Sequence, residues 1–158
     1  MSARTVLVIA VGLAAVIEDL SRRRISNWTS GGAALAGLTL HFVQKGWLGA
    51  WHSLLGAAIG FGVFLVFYLL GGMGGGDVKL MAGFGALLGD GQILPAALLA
   101  AISGGLMATV YLAAGAVAKF FRRPAAGQAS SSEGESQKSI PYAPAIAAGV
   151  WLALVSEM

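Results

Sequence analysis

Residues 61–89 of the chain read FGVFLVFYLLGGMGGGDVKLMAGFGALLG: an apolar run, a cluster of glycines, a single acid at Asp77 and a second apolar run. The rest of the chain has the same character, with 57% hydrophobic and 11% charged residues among 158. This is too apolar for a soluble domain with an ordinary polar surface. Because a bilayer core about 30 Å thick is crossed by roughly 20 apolar residues in a helix, the composition predicts an all-α polytopic membrane protein.

Apolar runs separated by charges or glycines predict six transmembrane helices. Their expected ranges are 4–20, 28–44, 48–71, 77–89, 93–121 and 141–157. The segment 124–139 (PAAGQASSSEGESQKS) cannot bury enough apolar area to fold, so we expect a flexible cytoplasmic loop there. The whole chain, residues 1–158, is predicted to form a single transmembrane domain.

Lysine and arginine are unevenly distributed over the predicted loops. Arg4 and Lys45 fall on one side of the membrane. The other side holds Arg22, Arg23, Arg24, Lys79, Lys119, Arg122, Arg123 and Lys138. By the positive-inside rule the richer side is cytoplasmic. This asymmetry explains the net charge of +3, so the expected partner is the lipid bilayer and not nucleic acid.

Two acids are predicted to meet at the cytoplasmic edge. Asp19 ends the first span where the chain reaches that side, and Asp77 begins the fourth span where the chain leaves it, so both carboxylates lie at one depth. Glu18 is rotated about 100° from Asp19 on a helix and cannot face the same partner. Asp90 lies on the opposite side and is interpreted as a turn residue. Two carboxylates held close together share one proton near neutral pH, which is the working state of an aspartyl protease.

The glycines before Asp77 disfavour a helix, since each costs about 1 kcal/mol relative to alanine. We expect Gly74, Gly75 and Gly76 to form an irregular loop along which an extended substrate can bind. The following span, 78–88, is only about 16 Å long, so we expect Asp77 to lie below the membrane surface beside a water-filled cavity. A simpler alternative is that Asp77 only caps the helix that follows it.

Other polar residues are given structural roles. Asn27 is expected to cap the second span, and Lys79, about 200° around a helix from Asp77, is expected to meet lipid headgroups. His41 and His52 fall toward the outer side, away from the acids. The chain has no cysteine and no HExxH, GxSxG or P-loop pattern, which removes the basis for thiol, zinc-peptidase, serine-hydrolase and nucleotide chemistry. Neither a metal nor a cofactor is expected.

Small residues at a spacing of four indicate close helix packing. Gly56 with Gly60, and Gly85 with Gly89, have the spacing that lets two helix backbones approach each other.

Three motifs resemble those of the type IV prepilin peptidases. Residues 19–27 (DLSRRRISN) resemble the family's first motif, an Asp followed after five residues by Ile-Pro-Asn. Residues 74–80 (GGGDVKL) look like the GxGDxKL motif, which contains Asp77 and Lys79. The sequence PYAP, with Pro141 and Pro144, is similar to the proline-containing start of the family's last helix.

The resemblance implies a six-helix GxGD aspartyl protease fold in the bacterial inner membrane, with Asp19 and Asp77 as cytoplasmic catalytic aspartates. It also implies prepilins or pseudopilins as substrates, from which a short leader peptide is removed. Ser26 stands where the family commonly has proline, so the turn into the second span is expected to be less rigid. The cysteine-bearing N-terminal extension of bifunctional members is missing, so we expect a compact peptidase-only member of the Flp or Tad pilus type, and no N-methylation of the pilin.

Two other functional classes also use paired carboxylates. Paired intramembrane carboxylates also mark ion or proton pathways in transporters, which predicts polar groups continuing across the membrane, and none is found in mid-span. A membrane transferase holding Mg²⁺ between Asp19 and Asp77 would usually gather several carboxylates, whereas two align here. The sequence leaves open which aspartate acts as the base.

Overall fold

The computed structural model describes residues 2–71, 73–121 and 142–155. Within these ranges the chain is helical and contains no strand, which confirms the predicted all-α class. The helices are α1 (Ala3–Arg22), α2 (Asn27–Leu69), α3 (Gly75–Leu88), α4 (Asp90–Phe121) and α5 (Ala143–Val155). Pro141 and the predicted flexible loop at 124–139 lie outside the described residues.

The long helix α2 is broken at Gly46. This residue has φ 60° and ψ −142°, a conformation outside the helical region that glycine adopts without a steric penalty. The break divides α2 into two helical halves, 27–45 and 47–69, which agree with the predicted spans 28–44 and 48–71. The predicted spans 4–20, 77–89, 93–121 and 141–157 correspond to α1, α3, α4 and α5.

Two helices in the described part of the chain are long and apolar enough to cross a membrane, α2 and the Asp90–Val110 part of α4. In the most apolar stretch of each helix, only 22% and 28% of the residues are buried, whereas a core helix of a soluble protein would be mostly buried. One stripe of α4, in which all side chains are more than half exposed, consists of Leu94, Leu98, Ile102, Leu106 and Val110. An outward-facing apolar stripe of this length fits a lipid surface. That all six predicted spans cross the bilayer stays a prediction.

Helix α3 lies at the centre of the fold, between the two halves of α2. From Asp77 to Leu88 only Lys79 is exposed. The helix axes approach closely because a Cβ atom on Gly56 would collide with the carbonyl oxygen of Gly85, and one on Gly85 with that of Gly56. The predicted packing role of these glycines is confirmed.

The carboxyl end of α3 is fixed by side chains of α2. His41 Nε2 lies 3.1 Å from the carbonyl oxygen of Leu87, and the Ser53 hydroxyl donates to the carbonyl oxygen of Ala86 at 2.9 Å. Both side chains are buried. These bonds satisfy carbonyl groups that have no partner within the last turn of a helix, and they set the position of α3 along its axis.

Helix α5 packs between α1 and α4. A Cβ on Gly149 would collide with the backbone of Ala100 in α4, and one on Gly12 in α1 would meet the ring of Trp151 at 2.8 Å. The Ser103 hydroxyl of α4 donates to the carbonyl oxygen of Ala145 at 2.6 Å. These contacts bring the amino end of α5 to the carboxyl end of α1.

Candidate active site

Asp19 lies in the last turn of α1 and is only 7% exposed. Its Oδ2 atom accepts the backbone N–H of Ala143, the first residue of α5, at 3.0 Å. The amino end of a helix carries a partial positive charge and free N–H groups. Asp19 therefore joins α1 to α5 across 124 residues of sequence.

Asp77 is the third residue of α3 and is also 7% exposed. Its Oδ2 atom accepts the backbone N–H of Gly74 at 3.2 Å. The carboxylate therefore satisfies a free N–H at the start of its own helix, which favours negative charge there. The helix-capping alternative for Asp77 is thus realised in part, although the cap position itself belongs to Gly74.

The expected irregular loop over Gly74 to Gly76 is wrong in part. Helix α3 begins at Gly75, so Gly75 and Gly76 are helical, and the positive φ of 76° falls at Gly71. The bond from Gly74 to the Asp77 side chain stabilises a first helical turn that glycine alone disfavours. At 14 residues α3 is about 21 Å long, still shorter than the bilayer core.

The two aspartates are brought together at one end of the fold. Their carboxylates lie close enough to interact electrostatically, and Tyr142, which precedes α5, lies close enough to interact with Asp77. Each carboxylate is buried and uses one oxygen to accept a backbone N–H. Paired carboxyl groups are able to act as general base and general acid. In the described part of the chain no group of three or more His, Cys, Asp or Glu residues could hold a metal ion.

A protein-family model described as the type IV leader peptidase family matches residues 6–109. The chain belongs to this family. It is 37% identical over 109 residues to the prepilin leader peptidase/N-methyltransferase of Bacillus subtilis (strain 168). That alignment covers 67% of this chain and 37% of the relative, so the chain spans little more than a third of the relative's length. No solved structure matches it.

The family match contains both aspartates and the loop 23–26, which connects α1 to α2. In this loop the backbone N–H of Ser26 donates to Glu18 Oε2 at 2.9 Å, and the Ser26 hydroxyl accepts the N–H of Trp28 at 3.1 Å. Ser26 is therefore the N-cap of α2, and the expected cap at Asn27 is wrong by one residue. The bond to Ser26 is a role for Glu18 that sequence reasoning missed.

Asn27 and Lys79 contact each other in this member of the leader peptidase family. Lys79 Nζ donates to Asn27 Oδ1 at 3.1 Å, which links the start of α2 to α3 across 52 residues. Lys79 therefore binds α2, which its angle to Asp77 on α3 does not predict. Its side chain is exposed but long enough to reach the neighbouring helix. Pro144 is the second residue of α5, where its missing N–H costs no helical hydrogen bond.

The histidines lie at the other end of α3, about 15 Å from Asp77 along the helix. His41 contacts the carbonyl group of Leu87, and His52 Nδ1 pairs with Asp90 Oδ1 at 2.8 Å. Asp90, expected to be a turn residue, is the first residue of α4. The structure thus leaves these residues apart from the aspartate pair.

Proposed function

We propose that the chain is a membrane-embedded aspartyl endopeptidase that removes the leader peptide from prepilins or pseudopilins. In this proposal residues 1–158 form one transmembrane peptidase domain of the bacterial inner membrane, and Asp19 and Asp77 are the catalytic pair. The observation that carries it is that two buried carboxylates, one from the end of α1 and one from the start of α3, lie at the same end of the fold inside the segment that matches the leader peptidase family.

The chemistry follows from one proton shared between two acids. The ionised carboxylate takes a proton from a water molecule, whose oxygen attacks the carbonyl carbon of the scissile peptide bond. The protonated carboxyl group donates a hydrogen bond to the carbonyl oxygen as negative charge develops there. Proton transfer to the leaving nitrogen then completes cleavage, and no metal or cofactor is required. Backbone N–H groups of Ala143 and Gly74 hold one oxygen of each acid and so orient the pair.

The glycines beside Asp77 are the proposed surface for the substrate. Gly74 and Gly75 are exposed. A Cβ on Gly75 would have no neighbour nearer than the Tyr68 ring at 3.7 Å, so an extended peptide can approach this backbone. Gly76 is tighter, because a Cβ there would lie 3.4 Å from Ile25. We therefore assign the substrate contact chiefly to Gly74 and Gly75.

A cytoplasmic orientation is supported by the charges around the aspartate pair. Arg22, Arg23, Arg24 and Lys79 lie at the same end of the fold as the two acids, and all four side chains are exposed. Basic residues at one membrane face predict the cytoplasmic side.

The test is co-expression of the chain with a Flp-type prepilin, with processing followed by the mobility of the pilin on a gel. The wild type is expected to remove the leader, whereas Asp19→Asn and Asp77→Asn are expected to leave the prepilin intact because neither can share a proton as a carboxyl pair does. Asp90→Asn is a matched control, since it removes an acid at the opposite end of α3.

Three results would contradict the proposal. Processing at the wild-type rate by either Asp19→Asn or Asp77→Asn would remove that residue from the catalytic pair. Loss of processing in Asp90→Asn equal to that in the other two would indicate a general effect of removing an acid. A wild-type chain that is present in the membrane but processes no prepilin would refute the peptidase activity.

A further inference from the structure

The loop 23–26 follows the helix that carries Asp19 and leads into α2, and Glu18 binds its backbone. Glu18 is half-buried and precedes Asp19 in α1. Its Oε2 atom accepts the N–H of Ser26 at 2.9 Å, eight residues further along the chain. The chain reverses at Arg23, whose φ of 49° lies in the left-handed region that non-glycine residues rarely adopt. A loop with such a strained residue requires contacts elsewhere to hold it.

The same loop also contacts α3 next to Asp77. Ile25 lies 3.4 Å from the position of a Cβ on Gly76, the residue before Asp77. One residue beyond the loop, Asn27 accepts a hydrogen bond from Lys79, two residues after Asp77. The loop therefore follows directly on the helix that carries Asp19 and contacts the helix that carries Asp77 at the residue before that acid.

We propose that Glu18 is a positioning residue of the peptidase, which fixes the loop 23–26 through Ser26 and thereby sets the placement of Asp19 relative to Asp77. This inference rests on the proposed function. Glu18 does not reach the reacting atoms, because it is rotated about 100° from Asp19 on α1. Its effect is on geometry, and misplacement of catalytic groups by about 1 Å can lower a rate by a factor of about 100.

The backbone of Ser26 provides a specific way to test this role. Ser26 has φ −66° and ψ 141°, which are the angles that proline adopts. A proline at this position would fix φ through its ring but would remove the N–H that Glu18 binds. Proline and the bond to Glu18 are therefore two alternative restraints on the same backbone. The expected loss of rigidity from having serine and not proline here is offset by Glu18.

The experiment measures kcat and KM of purified protein in detergent with a Flp-type prepilin. Glu18→Ala is expected to lower kcat about tenfold with little change in KM, because a hydrogen bond to a charged acceptor is lost. Glu18→Gln keeps an acceptor oxygen and is expected to stay within about threefold of the wild type. In a Ser26→Pro background, Glu18→Ala is expected to cause no further loss, since the donor is already absent. Asp90→Ala is the control for removal of an acidic charge.

Amide hydrogen exchange over residues 23–27 tests the bond independently of cleavage. Glu18→Ala is expected to raise the exchange rate of the Ser26 amide at least tenfold, and Asp90→Ala is expected to leave it unchanged. If Glu18→Ala fails to fold, the Glu18→Ala, Ser26→Pro double variant decides, since proline should restore both folding and cleavage.

Several outcomes overturn the inference. They are a wild-type kcat for Glu18→Ala, an equal loss from Glu18→Ala in the serine and proline backgrounds, and an inactive double variant when Ser26→Pro alone is active. A wild-type protein that exchanges the Ser26 amide slowly yet cleaves no prepilin would refute the proposed function and with it the catalytic purpose of Glu18, while leaving the bond itself established.

Discussion

Replacing Gly60 with alanine should force α2 away from α3. The new methyl carbon would lie 2.6 Å from the carbonyl oxygen of Met81 and 3.2 Å from Ile93 Cδ1. The end of the Ile93 side chain can turn aside, but the carbonyl group belongs to the backbone of α3. Ordinary van der Waals contact begins at 3.4 Å, and the methyl carbon would lie at only 2.6 Å. The two backbones must therefore separate by about 0.8 Å.

Gly62 supplies the matched control on the same helix. It is exposed, and a Cβ there would have no neighbour within 4 Å. Both substitutions gain the same helix propensity, at most about 1 kcal/mol, so the difference between them isolates the collision. Overpacking of this kind costs about 1–3 kcal/mol, and Gly60→Ala should be less stable than Gly62→Ala by that amount. Because Met81 lies one turn beyond Asp77, cleavage by Gly60→Ala should also fall by about tenfold or more.

The stability difference is measured by unfolding the purified variants in mixed micelles with increasing sodium dodecyl sulfate, followed by tryptophan fluorescence. Leader removal from the co-expressed prepilin measures the effect on activity. Equal midpoints for the Gly60→Ala and Gly62→Ala variants would refute the close approach of α2 and α3 at Met81. A destabilised but fully active Gly60→Ala variant would refute the link between this packing and the aspartate pair.

Three further predictions use the same assays. Ser53→Ala should lower the free energy of unfolding by about 1 kcal/mol because a buried carbonyl group of α3 loses its donor. The control Thr39→Ala removes an exposed hydrogen bond within α2 and should change the free energy of unfolding by less than about 0.5 kcal/mol. Equal effects of the two substitutions would contradict this prediction. Gly149→Ala should destabilise the protein because its new Cβ would collide with the backbone of α4. The loss should exceed that of the control Gly105→Ala, where a Cβ meets nothing within 4 Å, by about 1–3 kcal/mol. A smaller loss for Gly149→Ala would count against the contact between α4 and α5. Leader removal should persist in excess chelator, since the proposed mechanism needs no metal, and its loss with recovery on adding Mg²⁺ would favour a metal-dependent enzyme.

The helices could be predicted from the sequence because each depends on a local property. The division of α2 near Gly46 was predicted from charge and polarity at Lys45 and the flanking apolar runs, although the two halves follow each other without an intervening loop. The spacings of Gly56 with Gly60 and of Gly85 with Gly89 predicted close helix packing, since only a residue without Cβ lets backbones touch, but that Gly56 meets Gly85 came from the structure. A local sequence pattern was sufficient to predict where helices form and which small residues pack closely, because both depend on the residues of a single helix.

Helix ends were predicted less well because they depend on hydrogen bonds to particular side chains. The glycine run favoured a loop as far as Gly76, but Asp77 binds the N–H of Gly74 and the helix begins at Gly75. Ser26, not Asn27, caps α2, because its hydroxyl group accepts the N–H of Trp28. Capping depends on side-chain geometry, which propensity does not contain.

By itself the sequence determined an all-α architecture with long apolar helices, and it placed Asp19 and Asp77 as the acids to consider, because hydropathy and the order of charges along the chain are one-dimensional properties. Only the tertiary structure decided what surrounds those acids. The bond from Ala143 to Asp19 joins residues 124 apart, and the bond between Lys79 and Asn27 joins residues 52 apart. The bond of Glu18 to Ser26 required the reversal of the chain at Arg23. Such contacts depend on how whole helices pack, so no local pattern encodes them.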